Sequence, residues 1–193
     1  ELKIRIKRIL DLKAMERRIQ DLEKNVLKDA LTNLWNKKAI EEELDRMSQL
    51  SKRYKMEYSA MMIDLDQFKK YNDKYGHLEG DKVLRKLGEI ILKTIRKSDF
   101  AGRFGGEEFL IIMPYTEEAG AFTLGWRILN SMMDENIRHD LNPPYGKVTF
   151  TVGIALKEGE EDIIDVIKKA DEALYFGKKY NKKVAAFSDL IKK

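Results

Sequence analysis

The sequence predicts an α+β domain, with a mostly antiparallel central sheet surrounded by helices and one long helix ahead of it. Three observations predict this. Helix-period and strand-period segments alternate along the chain. A Gly-Gly pair sits between two short apolar runs in Arg103-Phe104-Gly105-Gly106-Glu107-Glu108-Phe109-Leu110-Ile111-Ile112-Met113, which signals a hairpin in the middle of the domain. Residues 1–28 hold neither Pro nor Gly and carry a narrow apolar stripe.

The elements follow in order. Leu12, Met15, Ile19, Leu22 and Val26 keep a 3-4-3-4 spacing, the pattern of a coiled-coil seam, and Leu2, Ile6 and Ile9 extend the stripe with a shift in phase. Residues 1–28 are therefore expected to form a helical linker that pairs two subunits, in preference to a helix packed on its own domain. Residues 29–193 are expected to form the globular domain. Asn36 to Tyr54 reads as a helix, with Ile40 and Leu44 one turn apart. Ser59 to Ile63 reads as a buried strand that ends in Asp64-Leu65-Asp66. Asp66 to Tyr75 is a short helix, and Gly80 to Lys97 a longer one with Val83, Leu84, Leu87, Ile90 and Ile91 on one side. The hairpin spans Phe100 to Met113. A helix runs from Thr116 to about His139, and Pro143-Pro144 breaks the chain after it. Val148 to Leu156 is a strand, Ile163 to Lys179 a helix, and Val184 to Phe187 a last short strand.

Composition bounds the function classes. A chain of 193 residues can bury one substantial core, and 43% hydrophobic with 36% charged residues is ordinary for a globular domain. There is no cysteine, so disulfides and thiolate zinc sites are excluded. No apolar run is long enough to span a bilayer, and no secretory signal is visible, which points to the cytoplasm. The first residue is Glu1 and not Met, consistent with a fragment whose upstream sensor or membrane domain lies outside it. Residues 1–28 hold nine basic and five acidic residues, and the remaining 28 of each sign cancel. The whole net charge of +4 therefore sits in the N-terminal segment. The globular part has no basic excess to suit nucleic acid, so no nucleic-acid partner is expected. Lys3, Arg5, Lys7 and Arg8 read as a solvated helix face in preference to a juxtamembrane cluster.

The chemistry concentrates in two places. Glycine takes positive φ cheaply, so Gly105-Gly106 predicts a tight turn that displays Glu107 and Glu108 at the start of a strand. Bare glycines also let a ligand approach the backbone. Asp64 lies at the end of a buried strand, where a carboxylate needs a cation or donors. Asp64 and Glu107 converge if their strands are sheet neighbours. Together they would offer hard oxygen ligands suited to Mg²⁺, which takes its other ligands from water and substrate phosphates.

These segments, taken together, resemble the GGDEF-domain diguanylate cyclases in their GGEEF form. The resemblance rests on Gly105-Gly106-Glu107-Glu108-Phe109 and Asp64-Leu65-Asp66-Gln67-Phe68-Lys69. It rests also on Asn72-Asp73-Lys74-Tyr75-Gly76-His77-Leu78-Glu79-Gly80-Asp81 and the opening Asp29-Ala30-Leu31-Thr32-Asn33-Leu34-Trp35-Asn36. It covers about residues 29 to 187. It implies the palm-like fold of nucleotidyl cyclases and polymerases, and condensation of two GTP into cyclic di-GMP with release of two pyrophosphates.

The resemblance also implies roles for single residues. Asp64, Glu107 and the main-chain carbonyl of Leu65 would carry Mg²⁺, with Mn²⁺ as a substitute. Asn72 and Asp81 would read the guanine edge, with Leu31 and Leu84 flanking the ring; without the resemblance, both polar residues read as helix caps. Lys69 and the backbone before it, including Phe68, would meet the triphosphate, as would Gly105 and Gly106 at the turn. Lys178 matches the family's lysine after the last long helix. Lys182 stands where an arginine is common, and Asn181 and Lys183 replace the usual glycine and asparagine around it. His77 is read as structural, because neither histidine has metal-ligand spacing. Arg96-Lys97-Ser98-Asp99 matches the family's Arg-x-x-Asp inhibitory site for cyclic di-GMP, and Arg127 a secondary arginine of it. Such domains commonly follow helical linkers that join two subunits, which agrees with a homodimer through residues 1–28.

Three other readings differ in class. A silent cyclic di-GMP receptor would need Arg96 and Asp99 but not the intact Asp64, Glu107, Lys69, Asn72 and Asp81. A dimerisation module would need only the seam. A cyclase for an adenine dinucleotide is disfavoured by Asp81, because adenine lacks the donors that a carboxylate accepts.

Overall fold

The computed structural model describes residues 27–191 and Lys13. Apart from Lys13, Leu27 and Lys28, the expected linker helix and its seam lie outside the described residues. The elements in chain order are α1 (Lys37–Tyr54), β1 (Tyr58–Leu65), α2 (Phe68–Tyr75), α3 (His77–Thr94), β2 (Phe100–Arg103), β3 (Glu108–Pro114), α4 (Glu118–Asp134), β4 (Phe150–Leu156), α5 (Ile163–Lys179), β5 (Val184–Ala186) and α6 (Ser188–Ile191). The five strands form one sheet in the order β2-β3-β1-β4-β5. Every pairing is antiparallel except β4 with β5. The expected mostly antiparallel α+β architecture is therefore observed.

Strand alternation sorts the core into two layers. Met61, Ile63 and Leu65 of β1 pack in one cluster with Val83, Leu87 and Ile91 of α3 and Ala121, Leu124 and Ile128 of α4. Ala60 and Met62 pack in the other with Ile40, Leu44 and Met47 of α1 and Val166, Ala170 and Leu174 of α5. Both faces are covered, so all eight residues of β1 are buried. Each fully buried Ile or Leu here contributes about 1.5–3 kcal/mol relative to exposure. Asp64 has the parity of Ala60 and Met62, which turns it towards the α5 layer. Gly153 on β4 lets α5 come that close. A Cβ there would lie 2.1 Å from the Ala170 carbonyl oxygen and 2.2 Å from the Leu174 nitrogen.

Several element boundaries differ from the sequence expectation. The long helix starts at His77, three residues before Gly80, because Gly76 (φ 87°) makes the break from α2. It stops at Thr94, since Ile95 turns extended and residues 96–99 form a turn closed by Asp99 N–H on the Arg96 carbonyl (3.1 Å). α4 ends at Asp134, five residues short of His139. Asn136 takes positive φ, and His139 is buried in the segment that leads to β4. α5 runs from Ile163 to Lys179 as expected. α1 is capped by Asn36, whose Oδ1 accepts from the Ala39 N–H at 3.1 Å.

Candidate active site

The end of β1 and the start of β3 lie side by side, with Asp64 opposite Glu108. The Leu65 N–H donates to the Glu107 carbonyl at 3.4 Å, so Glu107 stands beside Asp64-Leu65. The convergence expected from neighbouring strands is therefore present. From the end of α5, the Lys178 ammonium is ion-paired with Asp64 Oδ1. Burial pushes the Asp64 carboxyl above its ordinary range, against the pull of Lys178. Burial also pushes Glu107 up, and the Asp64 charge adds to the shift. One buried and one half-buried carboxylate thus face a single lysine, which is paired with Asp64, and negative charge is left over.

That surplus fits a divalent cation, which would take one oxygen from each carboxylate and one from the Leu65 carbonyl. Among the described residues, no group of three or more His, Asp or Glu stands ready to hold a metal alone. A cation here would need substrate or water oxygens as well.

The turn between β2 and β3 is wider than the expected two-residue hairpin. Neither Gly105 nor Gly106 takes positive φ, so that part of the turn reading is corrected. The Phe104 and Gly105 N–H groups both reach the Glu108 carbonyl, at 2.8 and 3.2 Å. The turn is set instead by Arg103. Its Nε and Nη2 donate to the Gly106 carbonyl at 3.2 and 2.7 Å, while Nη1 reaches Asp29 at 3.3 Å. Asp29 also accepts from the Thr32 N–H and hydroxyl. A Cβ on Gly106 would meet nothing within 4 Å, so its bareness leaves open space beside Glu107. Sequence reasoning gave Arg103 no role; its place directly before the glycines was the available signal.

A cleft of about 240 Å³ opens from Glu107 and Gly106, and is lined also by Phe68, Asn72, His77, Asp81, Leu84 and Arg103. Asn72 sits within α2 and Asp81 within α3, so neither caps a helix. Asn72 Oδ1 is buried without a hydrogen-bond partner. Such an orphaned acceptor is costly unless a ligand donates to it. Gly80 makes room for it, since a Cβ there would fall 1.9 Å from Asn72 Oδ1. His77, read as structural, lines this cleft. Leu31 is packed against the core cluster that contains Leu84 and is not part of the cleft lining.

A second, more polar cleft of about 190 Å³ adjoins Lys178 and is lined by Asp66, Gln67, Thr151, Asn181 and Lys183 among others. Lys69 is exposed on the first turn of α2. Lys182 faces away from both clefts, 3.6 Å from Asp189. Asp66 accepts from the Thr149 and Thr151 hydroxyls at 2.6 and 2.7 Å and from Lys183 Nζ at 2.7 Å.

At the other end of β3, Arg96, Asp99 and Arg127 line a third cleft of about 200 Å³ with Met113 and Thr116. Arg127 Nη2 donates to the Thr94 carbonyl at 2.8 Å, and Asp99 Oδ2 accepts from the Arg96 N–H at 2.8 Å. The three residues singled out in the sequence are therefore neighbours.

The model of the family described as diguanylate cyclase, GGDEF domain, matches residues 26–183. The chain belongs to the GGDEF family. This GGDEF domain is 36% identical over 170 residues to diguanylate cyclase DgcP of Pseudomonas aeruginosa, covering 88% of this chain and 25% of that protein. It is 34% identical to diguanylate cyclase DgcM of Escherichia coli, covering 87% of this chain and 40% of that one. The chain thus spans well under half the length of these curated relatives. The crystal structure of the coiled coil and GGDEF domain of DgcB from Caulobacter crescentus, in complex with c-di-GMP, superposes with a TM-score of 0.82 at 28% identity. That match covers 96% of this chain and 98% of the other. Among the described residues, no helix is long and apolar enough to cross a membrane.

Proposed function

We propose that this GGDEF domain condenses two molecules of GTP into cyclic di-GMP and two pyrophosphates. The observation that carries the reading is the single cleft that joins Glu107 to the unpartnered, buried Asn72 acceptor. One end offers surplus carboxylate charge. The other offers an acceptor and, in Asp81, a carboxylate for the N1–H and N2–H₂ donors of guanine.

In each step the ribose 3′-hydroxyl of one GTP attacks the α-phosphate of the other. A P–O bond forms, the bond to pyrophosphate breaks, and the hydroxyl proton is lost. Phosphoryl transfer of this kind depends on positioning and charge neutralisation. Mg²⁺, or Mn²⁺ in its place, would be held by Asp64, Glu107 and the Leu65 carbonyl, and when bound supplies charge neutralisation at the attacking and leaving oxygens. Asn72 and Asp81 orient the base, with Leu84 beneath it. Lys69 and Lys178 neutralise phosphate charge, and the first turn of α2, which Gln67 leaves without a side-chain cap, has N–H groups that suit an anion. Arg103 holds the Gly106 carbonyl and keeps the turn open. We also assign Glu107 the part of receiving the hydroxyl proton.

One domain holds one GTP, so two copies must face each other for both bonds to form. We assign residues 1–28 the task of pairing them. Arg96, Asp99 and Arg127 form the site at which cyclic di-GMP inhibits. A GTP substrate would suit the cytoplasm, whether or not the domain is anchored to a membrane.

The test is product analysis after incubation with Mg²⁺ and GTP or ATP. Cyclic di-GMP with two equivalents of pyrophosphate from GTP, and no dinucleotide from ATP, is the expected result. Absence of cyclic di-GMP at any protein concentration would favour the receptor reading.

A further inference from the structure

The cleft beside Lys178 contains a second lysine that the family pattern does not assign. Lys183 has a side chain only 9% exposed, against 49% for Lys182. Asn181 takes positive φ (56°) and turns the chain just before β5. Lys183 follows at a bend directly before β5, its carbonyl accepting from the Val152 N–H at 2.8 Å. Lys182 faces outward, with its ammonium 3.6 Å from Asp189 and 5.4 Å from the Phe176 ring centre. Lys183 faces inward and lines the cleft together with Lys178, Gln67 and Asn181.

Its surroundings leave it able to bind an anion. An ammonium has three donors. One lies on Asp66 Oδ2 at 2.7 Å, and the Tyr145 ring, 4.5 Å from Nζ, covers a second side. Asp66 already accepts from two threonine hydroxyls, so Lys183 is not its sole source of hydrogen bonds. The ion pair also ties Lys183 to the strand end that carries Asp64 and Leu65.

We propose that Lys183, and not Lys182, is the lysine that joins Lys178 in binding the terminal phosphates of the nucleotide. The cation has moved one position along the chain, and the αL turn at Asn181 aims it. This rests on the reading of the domain as a GTP-binding cyclase.

The test is calorimetric titration of the full chain with a non-hydrolysable GTP analogue and, separately, with GMP. The parent is compared with K182M, K183M, K183R and the double variant D66N/K183M, and thermal melts confirm folding. K183M should weaken the triphosphate analogue about tenfold, the worth of one charge-assisted hydrogen bond, and GMP far less. K182M should change the triphosphate affinity by less than about twofold, as for an exposed ion pair. K183R should retain most of the affinity. D66N/K183M removes both charges, so it leaves no stranded carboxylate; it should fold and still bind the triphosphate weakly. Equal effects of K182M and K183M would overturn the proposal. So would equal losses for GMP and triphosphate, or parent-like affinity in D66N/K183M, which would make Lys183 merely the partner of Asp66. A parent that binds neither nucleotide would instead overturn the cyclase reading, and this inference with it.

Discussion

At its Glu108 end, strand β3 meets a cluster whose charges are not balanced. Asp64 and Glu107 are pushed towards their protonated forms by burial, the one lysine there pairs with Asp64, and bare Gly106 leaves the approach open. At its Pro114 end, the strand meets Arg96, Asp99 and Arg127, whose polar groups are partly engaged with their own backbone. About five residues of strand, or roughly 17 Å, separate the two. The contrast teaches which end has to change when a ligand arrives. A cation at the first end relieves repulsion that already exists. A nucleotide at the second finds Asp99 bonded to the Arg96 N–H and Arg127 bonded to Thr94, so its binding competes with those bonds.

Breaking the charged end should have the largest effect. Glu107→Gln keeps the shape and loses the anion, so turnover should fall about a hundred- to a thousandfold. The same change should not destabilise the metal-free fold. Glu107 and Asp64 hold their protons to higher pH in the folded chain than in the unfolded chain, whose ordinary values are 4.5 and 3.8. The unfolded chain therefore releases these protons first. Their contribution to stability falls as pH rises from those values through the raised folded ones, then levels off. Asp29, Asp140, Glu161 and Asp162 are shifted the other way, so the fall is read as a difference: in thermal melts without metal, Glu107→Gln should gain stability relative to the parent as pH rises through the raised range. A variant that melts lower than the parent at pH above the raised range would count against surplus charge at this end.

At the other end the effect should be smaller and confined to regulation. Arg96→Ala removes the guanidinium proposed to stack on guanine and bond its edge, so cyclic di-GMP binding should weaken about tenfold. Initial rates should be unchanged, and the progress curve with excess GTP should continue past the level at which the parent stalls. If the variant binds product as tightly as the parent and stalls with it, this cleft is not inhibitory.

A third change leaves both ends intact and separates the subunits. A chain that begins at Lys28 should need more protein for the same specific activity, because the proposed pairing by residues 1–28 would raise the effective concentration of the second half-site. Equal specific activity at every dilution, with both chains monomeric by sedimentation, would contradict this.

The smallest effect should come from a helix cap that lines neither cleft. Asn36→Ala removes the α1 cap and should cost about 1 kcal/mol in denaturant unfolding. Turnover per folded molecule should stay the same. A large loss of activity would mean that α1 acts on the site directly.

What the sequence made legible was what local pattern encodes. Ile163 to Lys179 was bounded correctly because its apolar period runs unbroken between Asp162 and Tyr180. The start of α3 was misplaced because Gly80 looks like a helix breaker. Its glycine instead makes room for Asn72, a tertiary reason that no window of sequence carries. Asp64, Glu107, Asn72 and Asp81 were singled out because their motifs are spaced along the chain in a fixed order. Arg103 and Lys183 were given no role, because their partners are distant in sequence: Asp29 for one and Asp66 for the other. The Gly-Gly pair was located correctly and its conformation was not: neither glycine takes positive φ, Gly106 borders open space, and Gly105 lies against the Glu108 carboxylate.

The most direct measurement is Mn²⁺ binding, followed by its paramagnetic resonance signal, with a non-hydrolysable GTP analogue present. It compares the parent with Glu107→Gln. The parent should take up Mn²⁺, and the variant should bind it at least about tenfold more weakly while still binding the nucleotide. Equal Mn²⁺ affinity in the two proteins would contradict the account, because the surplus charge of Asp64 and Glu107 would then not be the seat of the metal.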